Sequence, residues 1–213
     1  MTVWAIVVAA GGGTRFGGAK QFEQLGAARV VDHAVATAIR ACDGVVVVVP
    51  TGRDWDGAPV DASVAGGATR SASVRAGLEA IPADVEIVVV HDAARPLATI
   101  ALYEAVVAAV LDGADGAVPG VAVADTLKRV DASRIVATVA RDDLVAVQTP
   151  QAFAAGSLRT AHRGDDDATD DAALVEATGG RVVVVPGDAG NRKITEPEDL
   201  RLAEALLAAR MEP

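Results

Sequence analysis

Two short segments of this sequence carry residues whose chemistries belong together. In Val90-His91-Asp92-Ala93-Ala94-Arg95-Pro96 a carboxylate and a guanidinium stand three residues apart, directly after the apolar run Val85–Val90. That run reads as a buried parallel strand, and ligands of open α/β sheets bind just beyond the carboxyl ends of such strands. An acid able to hold a divalent cation beside an arginine able to hold a phosphate points to phosphate chemistry. The second segment, Ala9-Ala10-Gly11-Gly12-Gly13-Thr14-Arg15-Phe16-Gly17-Gly18-Ala19-Lys20, follows the first apolar run and joins a glycine-rich turn to two cations. Lacking Cβ atoms, Gly11, Gly12 and Gly13 let backbone N–H groups approach an anion closely. Arg15 and Lys20 can then stabilise charge that develops on a phosphoryl group.

Two familiar phosphate loops are excluded. A Walker loop needs Lys directly after its last Gly and then Ser or Thr, whereas Gly18 is followed by Ala19, Lys20 and Gln21. A dinucleotide fingerprint begun at Gly11 needs Gly at its sixth position, which is Phe16. With three histidines and no Ser/His/Asp arrangement, the chain does not read as a nucleophilic hydrolase either.

Composition narrows the class further. The 213 residues are 51% hydrophobic but only 3% aromatic, which predicts valine-rich strands against alanine-rich helices and excludes an aromatic platform for single-stranded nucleic acid. A net charge of -10 excludes a general DNA or RNA partner. The single cysteine, Cys42, allows no disulfide framework and reads as a small core residue. No membrane span or signal peptide is expected, and the location expected is cytoplasmic. Gly164-Asp165-Asp166-Asp167 reads as a solvated loop rather than a metal site, because neighbouring side chains of an extended stretch point apart.

The elements that must position these residues can be read from periodicity. Continuous apolar runs at Val3–Ala9, Val45–Val49, Val85–Val90, Ala117–Val123 and Arg181–Val185 predict strands covered on both faces. Tyr103, Val106, Val107 and Val110 have the spacing of a one-sided helix, and Thr195-Glu196-Pro197-Glu198 has capping-box spacing before a last helix. The alternation predicts an α/β fold: a Rossmann-like, doubly wound, mostly parallel sheet with helices on both faces, in one domain over 1–213. Asp125–Val130 and Arg134–Val139, around Asp131-Ala132-Ser133, alternate as a hairpin does and predict a projecting β-hairpin arm at about 124–148. Such an arm needs a cover, either a second copy of the chain or its own domain.

The ordered set Ala9-Ala10-Gly11…Arg15…Lys20-Gln21, Gly66-Gly67…Arg70…Ser73-Val74, His91-Asp92-Ala93-Ala94-Arg95-Pro96, Asp125-Thr126-Leu127-Lys128, Thr149-Pro150-Gln151-Ala152-Phe153, Thr169-Asp170-Asp171-Ala172 and Lys193-Ile194-Thr195 resembles the 2-C-methyl-D-erythritol 4-phosphate cytidylyltransferases across nearly the whole chain. The resemblance implies a nucleotidyltransferase that moves a cytidylyl group from CTP to a small polyol phosphate with Mg²⁺, as a homodimer joined by exchanged arms. It implies that Arg15 and Lys20 stabilise the transition state, and that Arg141 and Lys193 position the acceptor. Ala9, Ala10, Gly11, Gly12, Gly67, Ser73 and Ala93 would hold the nucleotide. Asp92, Arg95, Thr126, Thr149 and Thr169 would lie on the acceptor side, with Asp92 also at the metal. Two departures stand out: Ala19 where the family has Pro before the lysine, and Ala68 where some members carry an acid. A ribitol-5-phosphate cytidylyltransferase shares almost all these motifs, and a catalytically silent nucleotide-binding regulator is the alternative from another class. Asp92 and Arg95 are read as functional rather than as an ion pair closing the strand end, and His91 as a packed residue.

Overall fold

The apolar runs become the strands of one sheet. The computed structural model describes residues 1–13 and 16–211. In chain order the elements are β1 (Val3–Val8), β2 (Gln24–Leu25), β3 (Ala28–Arg29), α1 (Val30–Ala41), β4 (Gly44–Val49), β5 (Ala62–Ala65), α2 (Arg70–Glu79), β6 (Ile87–Asp92), α3 (Ile100–Leu111), β7 (Gly116–Ala122), β8 (Leu127–Asp131), β9 (Arg134–Val139), β10 (Val145–Val147), β11 (Gln151–Ala154), α4 (Ala155–Ala161), α5 (Asp171–Ala177), β12 (Val182–Pro186) and α6 (Pro197–Met211).

β1 lies between β4 and β6, parallel to both, and β5 extends the sheet beyond β4. β11 runs antiparallel between β6 and β7. β12 joins the far edge of β7 in parallel, and β10 pairs antiparallel with Gly120–Ala122 of β7. The expected α/β, mostly parallel, doubly wound sheet is thus observed. The strands of this sheet that periodicity did not announce are β5, β10 and β11, all short; nor did it announce the separate two-residue pair β2 and β3. One apolar layer packs α1 and α3 on one face, and another packs α2, α4 and α5 on the opposite face. All six residues of both β4 and β6 are buried. At roughly 1.5 kcal/mol or more for each fully buried valine, these strands anchor their ends more firmly than any single polar contact there.

Apolar spacing places Tyr103, Val106 and Val110 on the buried side of α3. At α6 the carboxylate that reaches back is Asp199 rather than Glu198: its Oδ2 accepts from the N–H groups of Thr195 and Glu196. Among the described residues, no helix is long and apolar enough to cross a membrane.

β8 and β9 form a two-stranded sheet of their own, with Val130, Ile135 and Val136 at 58%, 60% and 50% exposure. Asp131 pairs with Arg134, so the turn is the dipeptide Ala132-Ser133, with Ala132 at φ 50°. The return leg does not stay free through residue 148. It joins the main sheet as β10, so the projecting part ends before Val145.

Candidate functional site

The first cleft opens at the carboxyl end of β1. Gly13 folds the loop there: its carbonyl accepts from the N–H groups of Phe16, Gly17 and Gly18, and its φ of 63° is one that glycine adopts without strain. Gln21, buried beneath a single 3-10 turn over Lys20–Phe22, donates to the carbonyls of Ala9 (2.6 Å) and Gly11 (2.9 Å). Those two bonds fix the start of the loop and, through the adjacent residue, the base of Lys20. The opposite wall is the turn into α2. Gly66 passes so close to the first loop that a Cβ would sit 2.2 Å from Ala10 Cβ. The Ser73 hydroxyl accepts from Gly67 N–H and donates to the Thr69 carbonyl, locking that turn. Between the walls lies a cavity of about 320 Å³ lined by Ala9–Gly13, Lys20, Gln21, Gly67–Arg70, Ser73, Asp92, Ala94 and Lys193, among others.

A second cavity of about 240 Å³ lies on the other side of Asp92, lined by Arg95, Gln148, Thr149, Gln151, Thr169 and Asp170. Arg70, Asp92 and Lys193 line both. Asp92 Oδ1 accepts from Arg70 Nε at 3.1 Å, and Oδ2 accepts from Lys193 Nζ at 2.6 Å. Burial by itself would raise the Asp92 pKa. The charges of Arg70 and Lys193 outweigh it and hold the carboxyl well below the usual carboxylate range. Burial likewise disfavours the Arg70 charge, but Asp92 and Asp171 reverse that and keep the guanidinium protonated.

Lys193 reaches Asp92 because its loop is tied to the break between β10 and β11. Asn191, fully buried, donates to the Thr149 carbonyl at 2.9 Å, and Arg95 Nη1 donates to the Asn191 carbonyl at 2.9 Å. Gln148 closes the same knot by donating to the Asp188 carbonyl and accepting from Asp188 N–H. Arg95 therefore clamps backbone rather than pairing with Asp92. His91 is fully buried: Nε2–H donates to the Arg95 carbonyl, leaving Nδ1 to accept from the Thr149 hydroxyl. That hydroxyl in turn accepts from Asp92 N–H. Burial lowers the His91 pKa to about 4, so the ring is neutral near pH 7.

Of the residues the sequence singled out, Ala9, Ala10, Gly11, Gly12, Lys20, Gly67 and Ser73 meet around the first cleft, and Arg95, Thr149 and Thr169 around the second. Ala93 is buried in the core, and its neighbour Ala94 lines the cleft instead. Thr126 and Arg141 lie exposed at the base of the hairpin, where Arg141 donates to the Ala124 carbonyl, and line neither cavity. Arg15 lies outside the described residues. Sequence reasoning assigned no role to Gln21, Arg70 or Asp171. A signal for Arg70 existed: an arginine in the first turn of a helix opposes the helix dipole and calls for a carboxylate partner.

Among the described residues, no three His, Cys, Asp or Glu side chains gather into a metal cage. Among the described residues, Asp92 is the one carboxylate lining the first cleft. A single carboxylate fits Mg²⁺, which is commonly held by one or two carboxylates together with substrate phosphates.

Residues 3–209 match the family model described as 2-C-methyl-D-erythritol 4-phosphate cytidylyltransferase. A curated relative of that name from Streptomyces coelicolor is 46% identical over 97% of this chain and 85% of its own length. The bifunctional enzyme IspD/IspF of Clavibacter michiganensis is also 46% identical, over 95% of this chain, and the chain spans 54% of its length. A crystal structure of the Thermus thermophilus cytidylyltransferase superposes with a TM-score of 0.86 at 37% identity, covering 98% of this chain and 100% of that one.

Proposed function

The chain belongs to the 2-C-methyl-D-erythritol 4-phosphate cytidylyltransferase family, and from that membership we propose that it transfers the cytidylyl group of CTP to 2-C-methyl-D-erythritol 4-phosphate, releasing pyrophosphate. The observation that carries this reading is the partition of two cavities by one charged cluster, Arg70, Asp92 and Lys193. A transfer between two phosphates needs two anion sites that meet at the reacting atoms.

In the proposed reaction an oxygen of the acceptor phosphate attacks the α-phosphorus of CTP. A new P–O bond forms, the bond from the α-phosphorus to the bridging oxygen breaks, and that oxygen leaves on pyrophosphate. The nucleophile is already ionised near neutral pH, so no side chain has to remove a proton. The barrier is the approach of one anion to another, and fixed cations lower it most where charge develops. The glycine loop and Lys20 hold the triphosphate side, together with Arg15 at a position the structure does not describe. Lys193, exposed enough to reach both cavities, faces the meeting point. Thr169 offers its hydroxyl to the polyol from the second cavity, whereas the Thr149 hydroxyl is engaged by His91 Nδ1 and Asp92 N–H and holds the cavity wall in place. The turn at Gly66–Ser73 offers fixed backbone groups against the base, with no acid at Ala68. Asp92 would hold Mg²⁺ together with the nucleotide's phosphates, and the metal would supply positive charge against the charge that develops there.

The exposed valines and isoleucine of the hairpin support a homodimer in which the arm is covered by a second copy, bringing Arg141 to a site. We place the enzyme in the cytoplasm, where its phosphorylated substrates are retained.

The deciding experiment is a pyrophosphate-release assay with CTP and a panel of polyol phosphates. Turnover with methylerythritol phosphate is expected. Turnover with ribitol phosphate alone would move the reading to that acceptor, and no turnover with any would leave a binding protein. A sedimentation mass of one chain would remove the dimer.

A further inference from the structure

Behind the site runs a buried polar chain that the transfer itself does not use. Arg70 reaches forward to Asp92 through Nε at 3.1 Å and backward to Asp171 through Nη1 at 2.7 Å. Asp171 Oδ1 accepts from His162 Nε2–H at 3.0 Å. Asp171 is fully buried yet lines neither cavity. It opens α5, while His162 caps the end of α4, so the packing of those two helices brings the pair together. A carboxylate buried this deeply needs a charged partner, and Arg70 is the cation that meets it. The reverse dependence matters more for the site. Arg70 Nη2 is buried with no hydrogen-bond partner among the described residues, so Nε and Nη1 alone set the plane of the guanidinium. Without the bond from Nη1 to Asp171, Arg70 could turn about its own bonds and release Asp92 Oδ1. His162 Nδ1 likewise has no partner among the described residues. The ring therefore keeps its hydrogen on Nε2 and fixes which way the Asp171 carboxylate faces.

We propose that Asp171, oriented by His162, is a positioning residue for the cytidylyl transfer: it fixes the plane of Arg70 and, through it, the Asp92 carboxylate at the border between the two cavities. The role rests on the transferase reading above, while the clamp on Arg70 can be measured without turnover.

The test uses the full chain with two readouts, steady-state kinetics and the ¹⁵N signals of the Arg70 guanidinium. With Asp171→Asn, kcat is expected to fall at least tenfold while KM for CTP stays within threefold, and the Arg70 Nε–H loses its protection from exchange. In an Arg70→Ala background, Asp171→Asn should bring no further loss of kcat. His162→Ala should lower kcat, and His162→Gln, whose amide can still donate to Asp171, should restore most of it. That second pair carries the comparison if Asp171→Asn does not fold. Independent, multiplying losses for Asp171 and Arg70, or a wild-type kcat in His162→Ala, would overturn the proposal. So would an Arg70 signal that stays protected in Asp171→Asn. A wild-type chain that releases no pyrophosphate would instead remove the transferase reading, and the Arg70 signals would still decide whether the clamp exists.

Discussion

Lys193 Nζ lies 2.6 Å from Asp92 Oδ2, although 101 positions separate them along the chain. The contact joins the strand end of β6 to the loop before α6, and it exists because Asn191 and Arg95 tie that loop down. Together with Arg70 it keeps Asp92 ionised, and it sets the lysine beside Arg70 at the border of the two cavities.

Replacing Lys193 by Ala should therefore disturb both substrates. Turnover is expected to fall about 10²-fold, the scale for removing one fixed group that stabilises developing charge, and KM should rise for CTP and acceptor alike. Initial-rate kinetics with each substrate varied separately check this. An increase confined to CTP would remove Lys193 from the border.

His91 makes the stability of the fold depend on pH. Its folded pKa is lowered to about 4 from 6.5. Between those values the unfolded chain binds the proton and the folded one does not, so stability falls as pH falls through this window. The expected loss is about 3 kcal/mol between neutral pH and pH 4. Asp92 acts lower. Its depressed pKa gives stability that is complete above the usual carboxylate range, near pH 4, and is lost as pH falls further. Urea unfolding at a series of pH values should show a sloping wild type and a flatter His91→Gln profile from pH 6.5 to 4. Parallel profiles would mean that His91 is protonated in the fold.

The two glycine turns should separate stability from binding. A Cβ on Gly66 would lie 2.2 Å from Ala10 Cβ and 2.9 Å from Ser73 Oγ, so Gly66→Ala must push the two loops apart. Overpacking of that kind costs about 1–3 kcal/mol, and CTP affinity should fall with it. A Cβ on Gly12 meets nothing within 4 Å. Gly12→Ala should keep wild-type stability and lose only CTP affinity, as read by thermal unfolding and calorimetry.

The scaffold was readable because buried parallel strands are continuous apolar runs: β1, β4, β6, β7 and β12 each announce themselves that way. β10 and β11 do not. They are short, lie either side of Pro150, and take their place from partners on β7 and β6 rather than from a pattern of their own. The same limit applied at the site. Asp92 ends β6, and Gly11 and Lys20 lie in the glycine-rich loop that follows β1, where spacing reveals them. Arg70 and Asp171 meet only after α2 and α5 dock, across a separation of 101 residues. Gln21 acts on backbone carbonyls, which leave no trace in residue type. Asp92 and Arg95, three residues apart, invite pairing, yet the fold turns them to different partners.

Lys20 sits where backbone and side-chain effects can be told apart. Ala19 has φ -74°, already within the range that proline imposes. The family's proline would therefore present the lysine along a similar path, and Ala19→Pro should raise stability by about 0.4–1 kcal/mol by restricting the unfolded chain. The Lys20 charge is a separate matter. If it acts on the charge that develops at the α-phosphate, Lys20→Ala should lower kcat about 10²–10³-fold and weaken CTP binding by well under that factor. Gln21→Leu, which strips the carbonyls of Ala9 and Gly11 of a donor, should give the opposite balance, with KM for CTP rising more than kcat falls. Single-turnover rates beside calorimetric binding distinguish the two. Equal losses of rate and affinity in Lys20→Ala would make the lysine a ground-state contact and leave the transition-state charge to Arg15 and Lys193.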